Sequence, residues 1–179
     1  MAGEPFAVWL TGLPACGKSA IARELLQALH ARGVEAAHLE SDVLRTQLTP
    51  FPRYDEKERD SFYAALAFIG VYLVENRKSV LFDATANRRA YRDMARRAIP
   101  RFAEVFVDTP PEVCAARDPK GLYRAAREGR APGLPGAQAA YEAPLAPELS
   151  VQGTEPPSRS AQAILAWLER RGWIDGVRS

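Results

Sequence analysis

Short apolar runs alternate along this chain with longer stretches whose apolar residues recur at helical spacing. The short runs predict buried strands, because each is brief and most end at turn or charged residues. Four such runs lie near Phe6–Leu10, Val34–Leu39, Ser79–Phe82 and Phe102–Val107. Strands that are joined through helices favour a mostly parallel sheet with helices on both of its faces. The pattern therefore predicts an α/β fold.

The helical stretches have limits that can be read from the sequence. The first spans Lys18–Arg32 and stops at Gly33. A long helix begins near Asp55, another is ended by Pro100, and a last one closes the chain.

The segment before the last helix has a different composition. Nine of the fourteen prolines lie between Pro110 and Pro157, so little uninterrupted helix is expected there. The same segment carries the basic residues Arg117, Lys120, Arg124, Arg127 and Arg130. We interpret residues 117–147 as a mobile basic flap, within a single domain that spans residues 1–179.

Composition narrows the class of protein. The 179 residues are 47% hydrophobic and carry a net charge of +2, which gives no reason to expect a nucleic-acid partner. No apolar run approaches the roughly 20 residues that a membrane helix needs. The N-terminus lacks the basic region of a signal peptide, and two cysteines do not make a disulfide scaffold. We expect a cytoplasmic protein without a membrane partner.

A glycine-rich turn lies between the first predicted strand and the first predicted helix. Residues 12–19 read GLPACGKS and fit the phosphate-loop pattern G-x-x-x-x-G-K-[ST]. The N–H groups of such a loop point at phosphate oxygens, and the helix that follows adds its dipole. We predict that Lys18 contacts the β- and γ-phosphates of ATP and that Ser19 binds Mg²⁺. The predicted nucleotide-binding residues are Gly12, Leu13, Pro14, Ala15, Cys16, Gly17, Lys18 and Ser19.

This motif makes the fold prediction more specific. We expect a three-layer P-loop NTPase fold, with a mostly parallel five-stranded sheet, helices on both faces and a basic flap. Cys16 has two interpretations: a reactive thiol with a lowered pKa, or a small side chain tolerated where only the backbone binds phosphate.

Two aspartates follow predicted strands and are candidates for chemistry. Asp42 can accept a proton from an acceptor hydroxyl or help to hold Mg²⁺, although it could also cap the helix that follows. Arg45 lies about one helical turn further on and could bind an anionic group of the acceptor. Asp83 ends the third strand and is predicted to hold Mg²⁺, the alternative being a simple turn residue.

The remaining arginine and histidine patterns favour structural roles. Arg88, Arg92 and Arg96 recur at i,i+4 spacing, which is typical of a solvated helix face, although Arg88 and the neighbouring Arg89 could instead attract an anionic substrate. His30 and His38 have no partners at metal-ligand spacing, so we expect both to be structural or exposed.

The second half of the chain resembles a known family. Residues 104–149 contain Asp-Thr-Pro, then Cys, then Ala-Arg-Asp-Pro-Lys-Gly-Leu-Tyr, a glycine-rich flap and Tyr-Glu-x-Pro. This run and the loop GLPACGKSAIA are similar to adenylylsulfate (APS) kinases. These P-loop kinases use MgATP to phosphorylate the 3′-hydroxyl of adenosine 5′-phosphosulfate.

The resemblance implies roles for individual residues. Asp42 and Lys18 would be catalytic, and ATP with Mg²⁺ would be the cofactors. The resemblance places Arg117 beside the ATP, while the metal ligands predicted from the loop and the strand ends are Ser19, Asp42 and Asp83. The small anionic acceptor would contact Asp42, Arg45, Tyr54, Arg59, Lys120, Leu122 and Leu134, the last in place of a phenylalanine that covers adenine. Because members of the family often form dimers, a homodimer is also suggested.

The middle of the chain departs from that family. Glu40-Ser41-Asp42 replaces Asp-Gly-Asp, and an asparagine and an arginine expected near the acceptor are missing. The segments SDVLR and DATANRRAYR are similar instead to small P-loop kinases of the polynucleotide-kinase and zeta-toxin type, where the same aspartate serves a sugar hydroxyl. Two alternatives to APS phosphorylation therefore stay open: a kinase of another hydroxyl, such as a nucleoside, sugar or antibiotic-like metabolite, and a regulatory module that binds nucleotide without transfer.

Overall fold

A five-stranded parallel sheet forms the centre of this protein, in a computed structural model that describes residues 3–53, 55–131 and 133–176. The strands are β1 (Ala7–Thr11), β2 (Ala36–Glu40), β3 (Ser79–Asp83), β4 (Phe102–Asp108) and β5 (Leu149–Gln152), in the spatial order β2-β3-β1-β4-β5. Every pairing is parallel, so the carboxyl ends of all strands lie at one edge of the sheet. The predicted α/β fold with a five-stranded sheet is confirmed.

The helices cover both faces of the sheet. They are α1 (Lys18–His30), α2 (Ser41–Leu48), α3 (Glu56–Glu75), α4 (Arg89–Ala98), α5 (Pro111–Arg117), α6 (Leu122–Arg127) and α7 (Pro157–Arg170). Helices α1 and α7 pack together over one face, and α3 and α4 pack together over the other. The three predicted layers are thus present.

Alternation along the central strand explains the two cores. Val8 and Leu10 of β1 point to the α1 face, whereas Trp9 points to the α3 face and stacks on Phe82 with ring centroids 4.3 Å apart. Both cores are apolar, because a strand buried on both faces needs hydrophobic side chains at every position. Full burial of one such side chain contributes about 1.5–3 kcal/mol.

The fifth strand could not be located from the hydrophobic pattern. Strand β5 has only four residues, and Val151 is the one that is buried. Two polar neighbours, Ser150 and Gln152, are exposed, so the segment carries too few apolar positions to indicate a strand. Pairing with β4 decides its conformation.

Arg92 and Arg96 of α4 do not lie on the solvated face that their spacing predicts. Arg92 is buried and forms an ion pair with Glu104 of β4, and it also donates to the carbonyl of Glu142. Arg96 pairs with both Glu104 and Glu148. The prediction was wrong because acidic residues from distant segments cover this face. Since loss of one partner of a buried pair costs about 3–5 kcal/mol, the network ties the segment before β5 to the sheet.

Candidate nucleotide and acceptor site

The predicted phosphate loop lies at the carboxyl end of β1 and leads directly into α1. Gly17 caps α1 with a left-handed backbone (φ 111°), a conformation that side chains with a Cβ rarely adopt. A Cβ on Gly12 would lie 2.6 Å from the carbonyl oxygen of Val107. The loop is also held from outside, because the hydroxyl of Thr109 donates to the carbonyl of Cys16 at 2.9 Å. Backbone contacts therefore set the curvature of the loop.

Gly153 is a supporting residue that the sequence interpretation missed. It follows β5 and packs directly beneath the phosphate loop, where a Cβ would overlap the carbonyl of Cys16 and the hydroxyl of Thr109. The available signal was its place just after a strand, at the sheet edge where ligands of α/β proteins bind. The signal is weak in the sequence, because the hydrophobic pattern does not reveal β5.

Lys18 lies inside the curve of the loop. Its side chain is buried, and Nζ donates to the carbonyl oxygens of Gly12 at 3.1 Å and of Leu13 at 2.9 Å. The thiol of Cys16 lies 3.6 Å from the same ammonium group and is fully buried. This burial supports the interpretation of Cys16 as a small, tolerated side chain.

The basic flap packs against the phosphate loop. Arg117 Nη1 donates to the carbonyl of Cys16 at 3.4 Å, and the hydroxyl of Tyr123 donates to the carbonyl of Pro14 at 3.0 Å. Leu134 is buried in the core cluster that also contains Tyr123. In this arrangement its side chain packs within the protein, whereas the resemblance expects it over an adenine.

Asp42 lies in the first turn of α2 without serving as its cap. The N-cap residue is Glu40, and no side chain caps the helix. The carboxylate of Asp42 instead forms an ion pair with Lys120 of the flap. Burial lowers the pKa of Lys120, but the hydrogen bond and the charge of Asp42 outweigh it, and the pKa is raised overall. The structure thus brings together two residues that are far apart in the sequence.

The other predicted acceptor residues have partners of their own. Arg45 forms an ion pair with Glu58 at 3.1 Å and lies over the ring of Phe62. Arg59 donates to the carbonyl of Gly133 in the flap at 2.5 Å. We refer to Asp42, Arg45, Arg59 and Lys120 as the acceptor side, and to residues 12–19 with Thr109, Arg117 and Gly153 as the nucleotide side. Leu122 begins α6 and is partly exposed, while Tyr54 lies outside the described residues.

Asp83 ends β3 beside the first turn of α1. Burial raises the pKa of its carboxyl group, but the His38 ring, the charge of Lys18 and a hydrogen bond with Ser19 outweigh it, and the pKa is lowered. The ionised carboxylate and the hydroxyl of Ser19 are the hard oxygen ligands that Mg²⁺ prefers, so these two residues fit that ion. The structure also places His38 and Glu40 beside Asp83, so His38 has neighbours with metal-binding atoms that its spacing in the sequence does not reveal.

Comparison with known proteins agrees with this arrangement. The adenylylsulphate kinase family matches residues 4–152. The adenylyl-sulfate kinase of Rippkaea orientalis is 35% identical over 175 residues, which cover 97% of each chain. That of Escherichia coli O1:K1 is 36% identical over 169 residues, which cover 93% of this chain and 84% of the relative. The chain belongs to the adenylylsulphate kinase family. It is therefore an ATP phosphotransferase with a P-loop fold.

A solved structure supports this membership. The APS kinase of Mycobacterium tuberculosis, in complex with AMPPNP and APS, superposes with a TM-score of 0.87 at 31% identity. The alignment covers 93% of this adenylylsulphate kinase family member and 99% of that chain. In the described part of the chain, no helix combines the length and apolar character needed to cross a bilayer. The homodimer, the cytoplasmic location and the single domain stay predictions.

Proposed function

We infer that this protein transfers the γ-phosphoryl group of ATP to the 3′-hydroxyl of adenosine 5′-phosphosulfate. The observation that carries this inference is the similarity to adenylyl-sulfate kinases over nearly the whole chain. It is supported by a relative of the same fold whose structure was solved with AMPPNP and APS. Phosphoryl transfer depends almost entirely on positioning and on electrostatic stabilisation, and the site offers groups for both.

The nucleotide side would hold the triphosphate of ATP. Main-chain N–H groups of the loop would face phosphate oxygens, because the loop bends at Gly17 and leads into a helix N-terminus. Pro14 has no N–H to offer, and the N–H of Cys16 donates to the carbonyl of Leu13 at 3.2 Å in this structure. Lys18 Nζ already lies within the curve of the loop and would contact the β- and γ-phosphates. Arg117, beside the loop at Cys16, would add positive charge near the phosphates.

Ser19 and Asp83 would hold Mg²⁺. The bound ion neutralises negative charge on the phosphate oxygens and so assists transfer of the γ-phosphoryl group. Ser19 contributes a hydroxyl, and Asp83 contributes a carboxylate whose pKa is lowered, so that it is ionised at neutral pH. Asp42 was also predicted as a ligand, and its exposed carboxylate is paired with Lys120 in this structure.

The acceptor side would bind and orient the hydroxyl that receives the phosphoryl group. Asp42 would accept the proton of that hydroxyl or fix its direction, which general-base groups do from hydrogen-bond distance. Lys120 lies directly against Asp42 and would stabilise negative charge on the transferring group. Arg45 and Arg59 would bind the phosphosulfate group, since a guanidinium matches such anions in shape and charge.

An ADP-release assay with product identification tests this function. The protein is incubated with MgATP, with and without micromolar APS, and products are identified by mass spectrometry. We expect ADP release that depends on APS and a product phosphorylated at the 3′-position. ATP binding without APS-dependent turnover would overturn the choice of acceptor, and other hydroxyl compounds would then be screened. Absence of any phosphorylated product across that screen would favour a regulatory nucleotide-binding module.

A further inference from the structure

Three side chains with metal-binding atoms meet at the carboxyl edge of the sheet, on its α1 face. His38 and Glu40 are two residues apart on β2, so they point to the same face. Glu40 is the direct neighbour of Asp83 in the parallel β2–β3 pairing. One ligand atom from each of the three residues lies within 4.8 Å of the other two.

Two of these atoms are buried and have no hydrogen-bond partner among the described residues. They are Nε2 of His38 and Oδ2 of Asp83, which lie 3.5 Å apart. The side chain of Asp83 is 2% exposed, so bulk solvent does not reach it. Buried polar atoms are almost always hydrogen-bonded. These two face each other at ion-pair distance without a hydrogen bond, which leaves both available to a cation between them.

We propose that His38, Glu40 and Asp83 bind a transition-metal ion of the zinc class, beside the nucleotide site. Tetrahedral coordination with bonds of about 2.0–2.2 Å places two ligand atoms about 3.4 Å apart, close to the separation of His38 Nε2 and Asp83 Oδ2. A cation also relieves the repulsion between the carboxylates of Glu40 and Asp83. The side chain of His38 is 25% exposed, so the cluster lies close to the protein surface.

The imidazole of His38 distinguishes this site chemically from the proposed site of nucleotide-bound Mg²⁺. Mg²⁺ prefers oxygen ligands, whereas an imidazole nitrogen with carboxylates suits zinc and its first-row neighbours. The proposed ligands come from β2 and β3, and none comes from the phosphate loop. Asp83 would be shared, with Oδ2 on the new ion and the rest of the carboxylate available to Ser19 and Mg²⁺. The site does not depend on which acceptor the enzyme uses.

Metal titration of the full-length protein, without nucleotide or acceptor, tests the proposal. The protein is stripped with a chelator and titrated with Zn²⁺ against a chromophoric competitor. Co²⁺ is then used as an optical probe of nitrogen and oxygen coordination. The variants are His38→Ala, His38→Gln and Glu40→Gln, the last two of which keep a polar side chain of similar size. His30→Ala is the matched control, because His30 is the other histidine, is exposed and pairs with Glu35.

We expect one Zn²⁺ per chain in the wild type and in His30→Ala. Loss of a direct ligand should weaken binding by more than the roughly 10–100-fold seen when outer-shell partners are removed. Zn²⁺ should raise the melting temperature of the wild type and leave that of the His38 variants unchanged. Melting without metal shows that each variant is folded.

Three results would overturn the proposal. The first is no stoichiometric Zn²⁺ in the wild type, and the second is binding by His38→Ala or His38→Gln that equals the wild type. The third is release of the ion when Mg²⁺ and a non-hydrolysable ATP analogue are added, since the two ions would then compete for one site. None of these measurements uses APS, so they are independent of the kinase assay.

Discussion

The two sides of the site are built from different parts of the chain. On the nucleotide side, main-chain atoms and small residues set the geometry, as in the contact of Thr109 with the carbonyl of Cys16. On the acceptor side, long charged side chains from different elements meet, as in the pairs of Asp42 with Lys120 and of Arg45 with Glu58. The nucleotide side is a loop shaped by backbone contacts, and the acceptor side is a set of ion pairs.

This difference explains how one fold can retain its ATP-binding site while the acceptor that it binds changes. Backbone geometry depends on a few glycines and on the sheet, so it tolerates many neighbouring side chains. Ion pairs depend on each charged residue and can be replaced one at a time. The middle segment, where the chain departs from the family pattern, supplies much of the acceptor side and almost none of the nucleotide side. The following five predictions test that division.

The largest effect is expected from Lys18→Ala on the nucleotide side. The variant loses the only side-chain charge inside the loop among the described residues, and turnover should fall about 10³-fold with any acceptor. ADP release under saturating MgATP measures the loss. Lys78→Ala, at an exposed lysine before β3, is the control and should behave as wild type. Turnover within tenfold of wild type would remove Lys18 from the mechanism.

Asp42→Asn should slow transfer strongly while leaving nucleotide binding intact. Because the amide cannot take up a proton, kcat should fall by at least about 10²-fold. Calorimetric titration with an ATP analogue should give the wild-type affinity, in contrast to Lys18→Ala. Asp175→Asn, which alters an exposed aspartate near the C-terminus, serves as the control. Full activity of Asp42→Asn would show that another group serves the hydroxyl.

Gly153→Ala tests whether the shape of the phosphate loop depends on close packing beneath it. The added methyl group overlaps the carbonyl of Cys16 and displaces the loop, and displacements near 1 Å can cost about 10²-fold in rate. The measurement is kcat/KM for ATP at saturating acceptor. Gly176→Ala is the matched control, since a Cβ there meets nothing within 4 Å. An unchanged kcat/KM would mean that the loop is held by other contacts.

Arg45→Met tests the acceptor side alone. Loss of a charge-assisted hydrogen bond should raise the KM for APS by about 10-fold or more, while the KM for ATP stays close to wild type. The substitution also leaves the carboxylate of Glu58 without its partner, which affects stability. The double variant Arg45→Met/Glu58→Gln also removes the charge of Glu58, so no carboxylate is left without a partner. This variant should keep the high KM for APS. Recovery of the wild-type KM in the double variant would assign Arg45 a purely structural role.

Cys16→Ala should have the smallest effect. The loop would bind phosphate through main-chain N–H groups, so kcat/KM should stay within about threefold of wild type. The buried thiol should also resist alkylation in the native protein, as measured by mass spectrometry after treatment with iodoacetamide. A large loss of activity, or rapid labelling of Cys16, would show that a side chain of the nucleotide side takes part directly.

Local patterns predicted most of the fold. Apolar runs located β1 to β4 within two residues, and the helical limits at Pro100 and near Asp55 match α4 and α3. Such features depend on neighbouring residues and are therefore visible in the sequence. The short strand β5 and the burial of Arg92 could not be predicted, because each depends on a partner from a distant segment.

The sequence by itself determined the phosphate loop and its place between β1 and α1, since the motif and its flanking pattern lie within about 25 residues. Only the tertiary structure decided that Asp42 pairs with Lys120, that Leu134 packs inside, and that His38 faces Asp83. The physical reason is that loop geometry is set by local backbone preference. Ion pairs and metal sites form between residues that the parallel sheet brings to its carboxyl edge from separate parts of the chain.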